Sequence, residues 1–232
     1  MNDTLKFVLI CFLAAGGMVA LSRLYEHLFL RSRRELSVSR RITTIALCAA
    51  MGSLLMLLEF PLLFLAPEFY KLDLSELPVM LCGLYLGPSA GVTAELLKVL
   101  LKLLIKGTTT AYVGELANFI VGCSLILPAT MIYFAKRTKR AAVFGLLTGT
   151  LCIAVVGSLF NAFYLLPAFS ALFHLPLAQI VAMGSAVNGS IRSVSTFVLF
   201  AVAPLNLIKG AVVSMLTMLL YKRTEKLLFQ RK

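Results

Sequence analysis

The sequence predicts an all-α integral membrane bundle that begins with a hydrophobic helix, and three observations carry that reading. Of its 232 residues 60% are hydrophobic and only 14% charged, with a mean hydropathy of +0.94; charged residues make up about a quarter of an ordinary soluble domain. The apolar residues are gathered into runs separated by short basic stretches. Six or seven spans of roughly 20 residues each would take up nearly the whole chain, leaving no room for a separate soluble domain.

The first apolar run, Phe7 to Leu21, continues through Leu24, Tyr25 and Leu28 into a basic linker from Arg31 to Arg41. It lacks the strongly basic leader of a signal peptide and reads as a retained helix. The chain thus divides into 1–37, the N-terminal hydrophobic helix and its basic linker, and a membrane core over 38–232. Within the core, Ile42 to Phe60 reads as a span ending at Pro61, and Leu62 to Glu76 as a loop. Leu77 to Leu86 is short and stops at Gly87-Pro88; Ser89 to Ile105 is helical and closes at Gly107 and the threonines Thr108, Thr109 and Thr110.

Val113 to Phe134 forms the next span, followed by Lys136, Arg137, Lys139 and Arg140. Ala141 to Leu166 is expected to stop near Pro167. Ala168 to Ser195, with its Pro, His, Gln, Asn and Ser, does not read as a simple span, although Leu177 to Val187 fits a short helix. The last span runs from about Phe197 to Tyr221, is expected to be interrupted at Pro204, and ends in Lys222, Arg223 and Lys226.

The net charge of +12 resides in these clusters between apolar runs, a distribution that signals orientation and not nucleic-acid binding. Placing all three clusters in the cytoplasm satisfies the alternation of spans. The 62–76 loop, the threonine turn and the 168–195 segment then share the outer face, so a site built from them opens outward, with the C-terminus cytoplasmic. The five cysteines lie inside apolar runs without metal-site spacing. No GxxxxGK[ST] phosphate loop, HExxH or GxSxG occurs, and His27 and His174 are isolated, so energy coupling must come from elsewhere and no catalytic set presents itself.

A charge near the bilayer centre costs about 2.5–3.5 kcal/mol on insertion scales, so each such residue calls for a reason. Glu95, Lys98, Lys102 and Lys106 share one helix face. One reading pairs Glu95 with Lys98 and lets the outer lysines snorkel to the interface; the other turns a polar face toward partner helices or a ligand. Glu115 and Asn118, three apart at the outer end of a span, follow a turn whose free N–H groups would favour an acceptor-rich ligand, or Glu115 simply complements the helix dipole. Asn161 with Tyr164 precedes Pro167, and Asn206 with Lys209 follows Pro204. Buried amides and an ammonium need partners, either across helices or in a ligand. Ala46 and Ala50, flanked by Ala49 and Gly52, form a strip of small residues suited to close helix approach within the protein or against another.

Several stretches, in order, resemble a known family. They are Phe69-Tyr70-Lys71-Leu72-Asp73-Leu74-Ser75-Glu76-Leu77-Pro78, Gly87-Pro88-Ser89-Ala90-Gly91, Thr109-Thr110 with Gly114-Glu115-Leu116-Ala117-Asn118-Phe119, and Leu127-Pro128-Ala129. Asn161-Ala162-Phe163-Tyr164-Leu165-Leu166-Pro167 and Pro204-Leu205-Asn206-Leu207-Ile208-Lys209-Gly210 complete the series. Together they resemble the riboflavin-specific substrate-binding (S) subunits of bacterial energy-coupling factor (ECF) transporters.

The resemblance implies a six-helix ECF S-component bundle, with the Phe7 to Leu28 helix as an addition. It implies riboflavin as transported ligand with no further cofactor or metal, and a partnership with a coupling transmembrane subunit and two ATPase subunits in the lipid bilayer. Asn161, Asn206 and Lys209 are then expected to meet the isoalloxazine edge or ribityl chain, Lys71, Leu72 and Asp73 to cover the flavin, and Glu115 and Asn118 to form a wall. Phe60, Phe69, Phe163 and Tyr164 become candidates for ring contact, and Ala46 and Ala50 for the coupling-subunit interface. The same architecture specific for folate or thiamine, or an intramembrane enzyme using Glu115, are the competing readings.

Overall fold

The computed structural model describes residues 3–29, 37–108 and 110–229; Thr109 and most of the basic linker from Arg31 to Arg41 lie outside them. The chain is helical almost throughout. Helix α1 covers Asp3–Phe29, α2 Val38–Leu57, α3 Glu76–Leu86, α4 Pro88–Lys106 and α5 Val113–Lys136. Helix α6 (Lys139–Phe160) passes through a π-helical turn at Asn161–Leu165 into α7 (Leu166–Phe173), followed by α8 (Leu177–Val187). The short α9 (Val194–Phe197) passes through a second π-helical turn at Val198–Val202 into α10 (Ala203–Phe229). Between α2 and α3 a two-residue antiparallel ribbon pairs β1 (Phe60–Pro61) with β2 (Lys71–Leu72), a feature periodicity does not announce.

Among the described residues four helical stretches are long and apolar enough to cross a membrane: Val38–Leu57, Val113–Lys136, Lys139–Phe173 and Val194–Tyr221. Helix α3, at 11 residues, rises only about 16 Å at 1.5 Å per residue. The loop before it therefore descends into the bundle, carrying Asp73 and Ser75, and Glu76 at the start of α3, to buried positions. Irregular backbone at such depth is tolerated where protein or a cavity surrounds it.

Both prolines expected to stop a helix are instead accommodated. Leu166 N–H bonds back five residues to the Asn161 carbonyl, and Ala203 N–H to that of Val198. A proline removes a donor and crowds the carbonyl four residues earlier; widening the preceding turn relieves that crowding, and such turns recur at functional sites. The stop near Pro167 and the break at Pro204 are thus corrected to local widenings.

The core is Val79, Met80, Leu125, Ile126, Leu146, Ile153 and Val213, from α3, α5, α6 and α10. Helix α6 approaches α5 closely because Gly145 and Gly149 face the Ala129 and Leu125 carbonyls, where a Cβ would collide with backbone. The small-residue strip expected on α2 divides: Ala49 is buried, while Ala46 is exposed and Ala50 half-buried on its outer side. Helix α1 packs on α4 and α5; its Glu26 accepts hydrogen bonds from Ser89 N and Oγ at 2.9 and 2.7 Å, and Tyr25 donates to the Met131 carbonyl at 2.7 Å.

Candidate ligand-binding site

Helices α2 and α4 end, and α5 and α10 begin, at one end of the bundle. The basic residues Arg40, Arg41, Lys136, Arg137, Lys139 and Arg140 lie at the other. At the first end is a cavity of about 220 Å³, open on one side. Its floor is ionic. Lys209 Nζ on α10 lies 3.1 Å from Asp73 Oδ2 and 3.0 Å from Glu76 Oε2. Lys98 Nζ on α4 lies 3.3 Å from Glu76 Oε1, 3.0 Å from Ser75 Oγ and 2.7 Å from Glu95 Oε1.

Glu76 is the hinge of this network, because one carboxylate joins the two ammonium groups. It opens α3, where a negative charge also complements the helix dipole. Burial works against ionisation of Asp73, but the Lys209 and Lys98 ammonium groups and hydrogen bonds from Ser75 outweigh it and hold the carboxyl at about 2. Lys209 therefore reaches the cavity already paired. Lys102 takes the second reading, its Nζ meeting the buried Glu115 Oε1 at 2.9 Å, while Lys106, exposed at the end of α4, reaches Glu59 Oε1 at the rim at 2.6 Å. The Glu95–Lys98 pair is present as read.

The wall on the α5 side is organised by threonines. Glu115 accepts hydrogen bonds from Thr108 Oγ1 at 3.0 Å and Thr110 Oγ1 at 3.3 Å, in addition to its pairing with Lys102. Gly114 N–H donates to Thr110 Oγ1 and Val113 N–H to the Thr110 carbonyl. The free N–H groups expected there are thus taken by the turn itself, and Glu115 is more than a complement to the dipole. Asn118, one turn further, lines the cavity.

Two further amides face the cavity from the last long helices. Asn161 sits in the first π-helical turn; its Nδ2 donates to the Gly157 carbonyl at 2.7 Å, and its Oδ1 accepts from the Tyr70 hydroxyl at 2.6 Å. Asn206 of α10 nestles over Gly157, where an added Cβ would lie 2.5 Å from its Nδ2. Apolar walls come from Phe69, Phe169, Leu165 and Leu205. The loop over the cavity is fastened at its rim by Glu59, which accepts from Lys71 at 3.0 Å as well as from Lys106. Burial opposes the Glu59 charge, yet the two lysines prevail and lower its carboxyl below the ordinary range.

Of the residues singled out from sequence, Lys71, Asp73, Glu115, Asn118, Asn161, Asn206 and Lys209 line this one cavity. Leu72 does not; it is buried in the ribbon opposite Phe60. Tyr164 does not either, since its ring packs 5.0 Å from that of Phe160. Phe163 is largely exposed on the outer face of the bundle, and Phe60 too stands outside the cavity, leaving Phe69 as the one foreseen aromatic in its wall. Glu59, Tyr70, Glu76 and Phe169 were not singled out. A carboxylate directly ahead of an apolar helix was the available signal for Glu76; the others depend on which loop meets which helix.

The family model described as "ECF transporter, substrate-specific component" matches residues 40–221, which include every residue lining the cavity. The chain belongs to this family. Among curated relatives, the "Riboflavin transporter RibU" of Staphylococcus aureus is 33% identical over 84% of this chain and 96% of its own length. The "Riboflavin transporter FmnP" of Bacillus subtilis is 28% identical over 83% and 96%. A solved structure titled "Structure and mechanism of the S component of a bacterial ECF transporter" superposes with a TM-score of 0.64 at 32% identity, covering 83% of this chain and 99% of that one. As a member of the ECF family the chain is a multi-pass membrane protein, and α1 precedes the residues the family model matches.

Proposed function

We propose that this chain captures riboflavin at the outer face of the cell membrane, as the substrate-binding subunit of an ECF-type transporter energised by partner ATPases. The observation that carries the reading is the cavity, in which Asn118, Asn161 and Asn206 stand among Phe69, Phe169, Leu165 and Leu205. A neutral flavin needs apolar surfaces for its ring and a few placed donors and acceptors for its carbonyls and hydroxyls. The names of the relatives, all riboflavin transporters, support the same substrate.

In this reading Asn161, Asn206 and Lys209 meet the polar groups of the ligand, Glu115 and Asn118 form the wall, and Lys71 and Asp73 belong to the loop that covers it. The cavity opens outward and the C-terminus is cytoplasmic, because the basic residues at the opposite end favour the cytoplasm. Ala46 and Ala50, on the outer side of α2, admit close approach of the coupling transmembrane subunit. The chain performs no chemistry; ATP hydrolysis belongs to its partners.

The test is the purified protein. It is expected to carry flavin absorbance from riboflavin-containing cells and, once stripped, to quench the fluorescence of added riboflavin. Folate and thiamine should not compete. Colourless protein that leaves riboflavin fluorescence unchanged would refute the reading, and displacement by either other vitamin would reassign the substrate.

A further inference from the structure

An asparagine amide offers two N–H donors on one side and a carbonyl with two lone pairs on the other, and a free amide can present either side by flipping. Asn161 is not free. Its Nδ2 donates to the Gly157 carbonyl, one turn earlier on the same helix, and its Oδ1 accepts from Tyr70, which arrives from the loop 91 residues away in sequence. The Gly157 carbonyl can only accept, so a flipped amide would set oxygen against oxygen there; that contact fixes the sense of the amide, and the Tyr70 hydroxyl, bound to Oδ1, holds its plane. Both bonds are buried, where an unmatched pair is most costly.

One N–H and one lone pair of Asn161 are not used by these two bonds, in a residue that lines the cavity. We propose that Tyr70 is a positioning residue for ligand selection: with the Gly157 carbonyl setting the sense of the Asn161 amide, Tyr70 holds its plane so that the remaining N–H and lone pair read a neighbouring carbonyl and N–H on the ligand, as in a cyclic imide. The inference rests on the riboflavin reading, since the pyrimidine edge of the flavin carries such an imide. Tyr70 itself is well placed for the task. It is buried, its ring lies 5.9 Å from Phe197 and 4.9 Å from Phe69, and it stands next to Lys71, whose bond to Glu59 anchors the same loop.

Tyr70→Phe keeps the ring and removes only the hydroxyl, so the test is selectivity. Riboflavin and 3-methylriboflavin, in which the imide N–H is replaced by N–CH3, are titrated against the purified protein by fluorescence quenching. Unaltered protein is expected to prefer riboflavin at least tenfold. In Tyr70→Phe riboflavin affinity should fall about tenfold, equivalent to about 1.4 kcal/mol, while the methylated analogue changes less than about threefold, collapsing the preference. With Asn161→Ala already present, adding Tyr70→Phe should change riboflavin affinity less than about twofold.

Equal losses for both ligands, an undiminished effect in the Asn161→Ala background, or no preference in the unaltered protein would each overturn the proposal. Should Tyr70→Phe not fold, Asn161→Ala alone decides, because it must erase the preference if the amide reads the imide. Unaltered protein that binds neither flavin defeats the riboflavin reading instead.

Discussion

Gly157 of α6 and Asn206 of α10 occupy one another's space: the missing side chain at 157 is where the Asn206 amide lies. The same glycine's carbonyl receives Asn161 Nδ2. One backbone position thereby supports two cavity amides on different helices, and its substitution has a sign that can be foreseen.

Gly157→Ala should help the helix by roughly 0.5–1 kcal/mol, since glycine is the poorer helix former, while displacing Asn206. Ligand affinity is expected to drop by about tenfold, with the unfolding midpoint little changed. Fluorescence titration beside thermal unfolding in detergent separates the two; full affinity with a lowered midpoint would contradict the packing described.

Removing Lys209 leaves Asp73 and Glu76 facing one another with Lys98 as their remaining cation. Breaking one partner of a buried pair typically costs about 3–5 kcal/mol. Lys209→Met should therefore lower the unfolding midpoint markedly and weaken riboflavin binding, whereas Lys71→Met at the half-exposed rim should cost under about 1 kcal/mol. Similar midpoints for the two variants would show that the floor does not depend on Lys209.

Asp73 titrates at about 2 in the fold, against about 3.9 when unfolded. A depressed carboxylate contributes all its stabilisation above the unfolded value and loses it as pH falls through the folded one. Riboflavin affinity and stability should accordingly be flat with respect to Asp73 between pH 5 and 8 and decline between about pH 4 and 2. Titration of Asp73→Asn checks this, because the variant should lack that part of the acid decline. A loss of binding centred near pH 6 that disappears in Asp73→Asn would contradict the assignment.

The extra helix makes no wall of the cavity, whose lining runs from Met56 to Lys209. Protein lacking residues 1–37 is expected to bind riboflavin within about threefold of the full chain and to unfold earlier, because Ser89 at the start of α4 loses the Glu26 carboxylate, a cap of about 1 kcal/mol. A truncated protein that is folded yet cannot bind would assign the helix a part in the site.

On α2, Ala46→Trp should leave riboflavin binding by the purified protein untouched and abolish uptake in cells that carry the coupling and ATPase subunits. Normal uptake would remove Ala46 from the partner surface.

Much of the site was legible because membranes penalise polarity: Asn161, Asn206, Lys209, Glu115 and Asn118 stood out against apolar runs, and each lines the cavity. Tyr164 shared the Asn161 helix and a compatible spacing, but the π-helical turn shifts the face that follows it, and its ring goes to Phe160. Leu72 and Phe60 were drawn into a ribbon too short to leave a periodic trace.

The sequence by itself determined that this chain lives in lipid, where most of its apolar helices lie, and that its costly polar residues gather at the end opposite the basic clusters. Tertiary structure alone decided the pairings: Lys209 with Asp73, 136 residues apart, Lys98 with Glu76 as well as its neighbour Glu95, Tyr70 with Asn161. The reason is range. Hydrophobic periodicity and transfer energy are properties of a residue and its near neighbours, whereas an ion pair or a shared glycine exists only once particular helices have packed face to face.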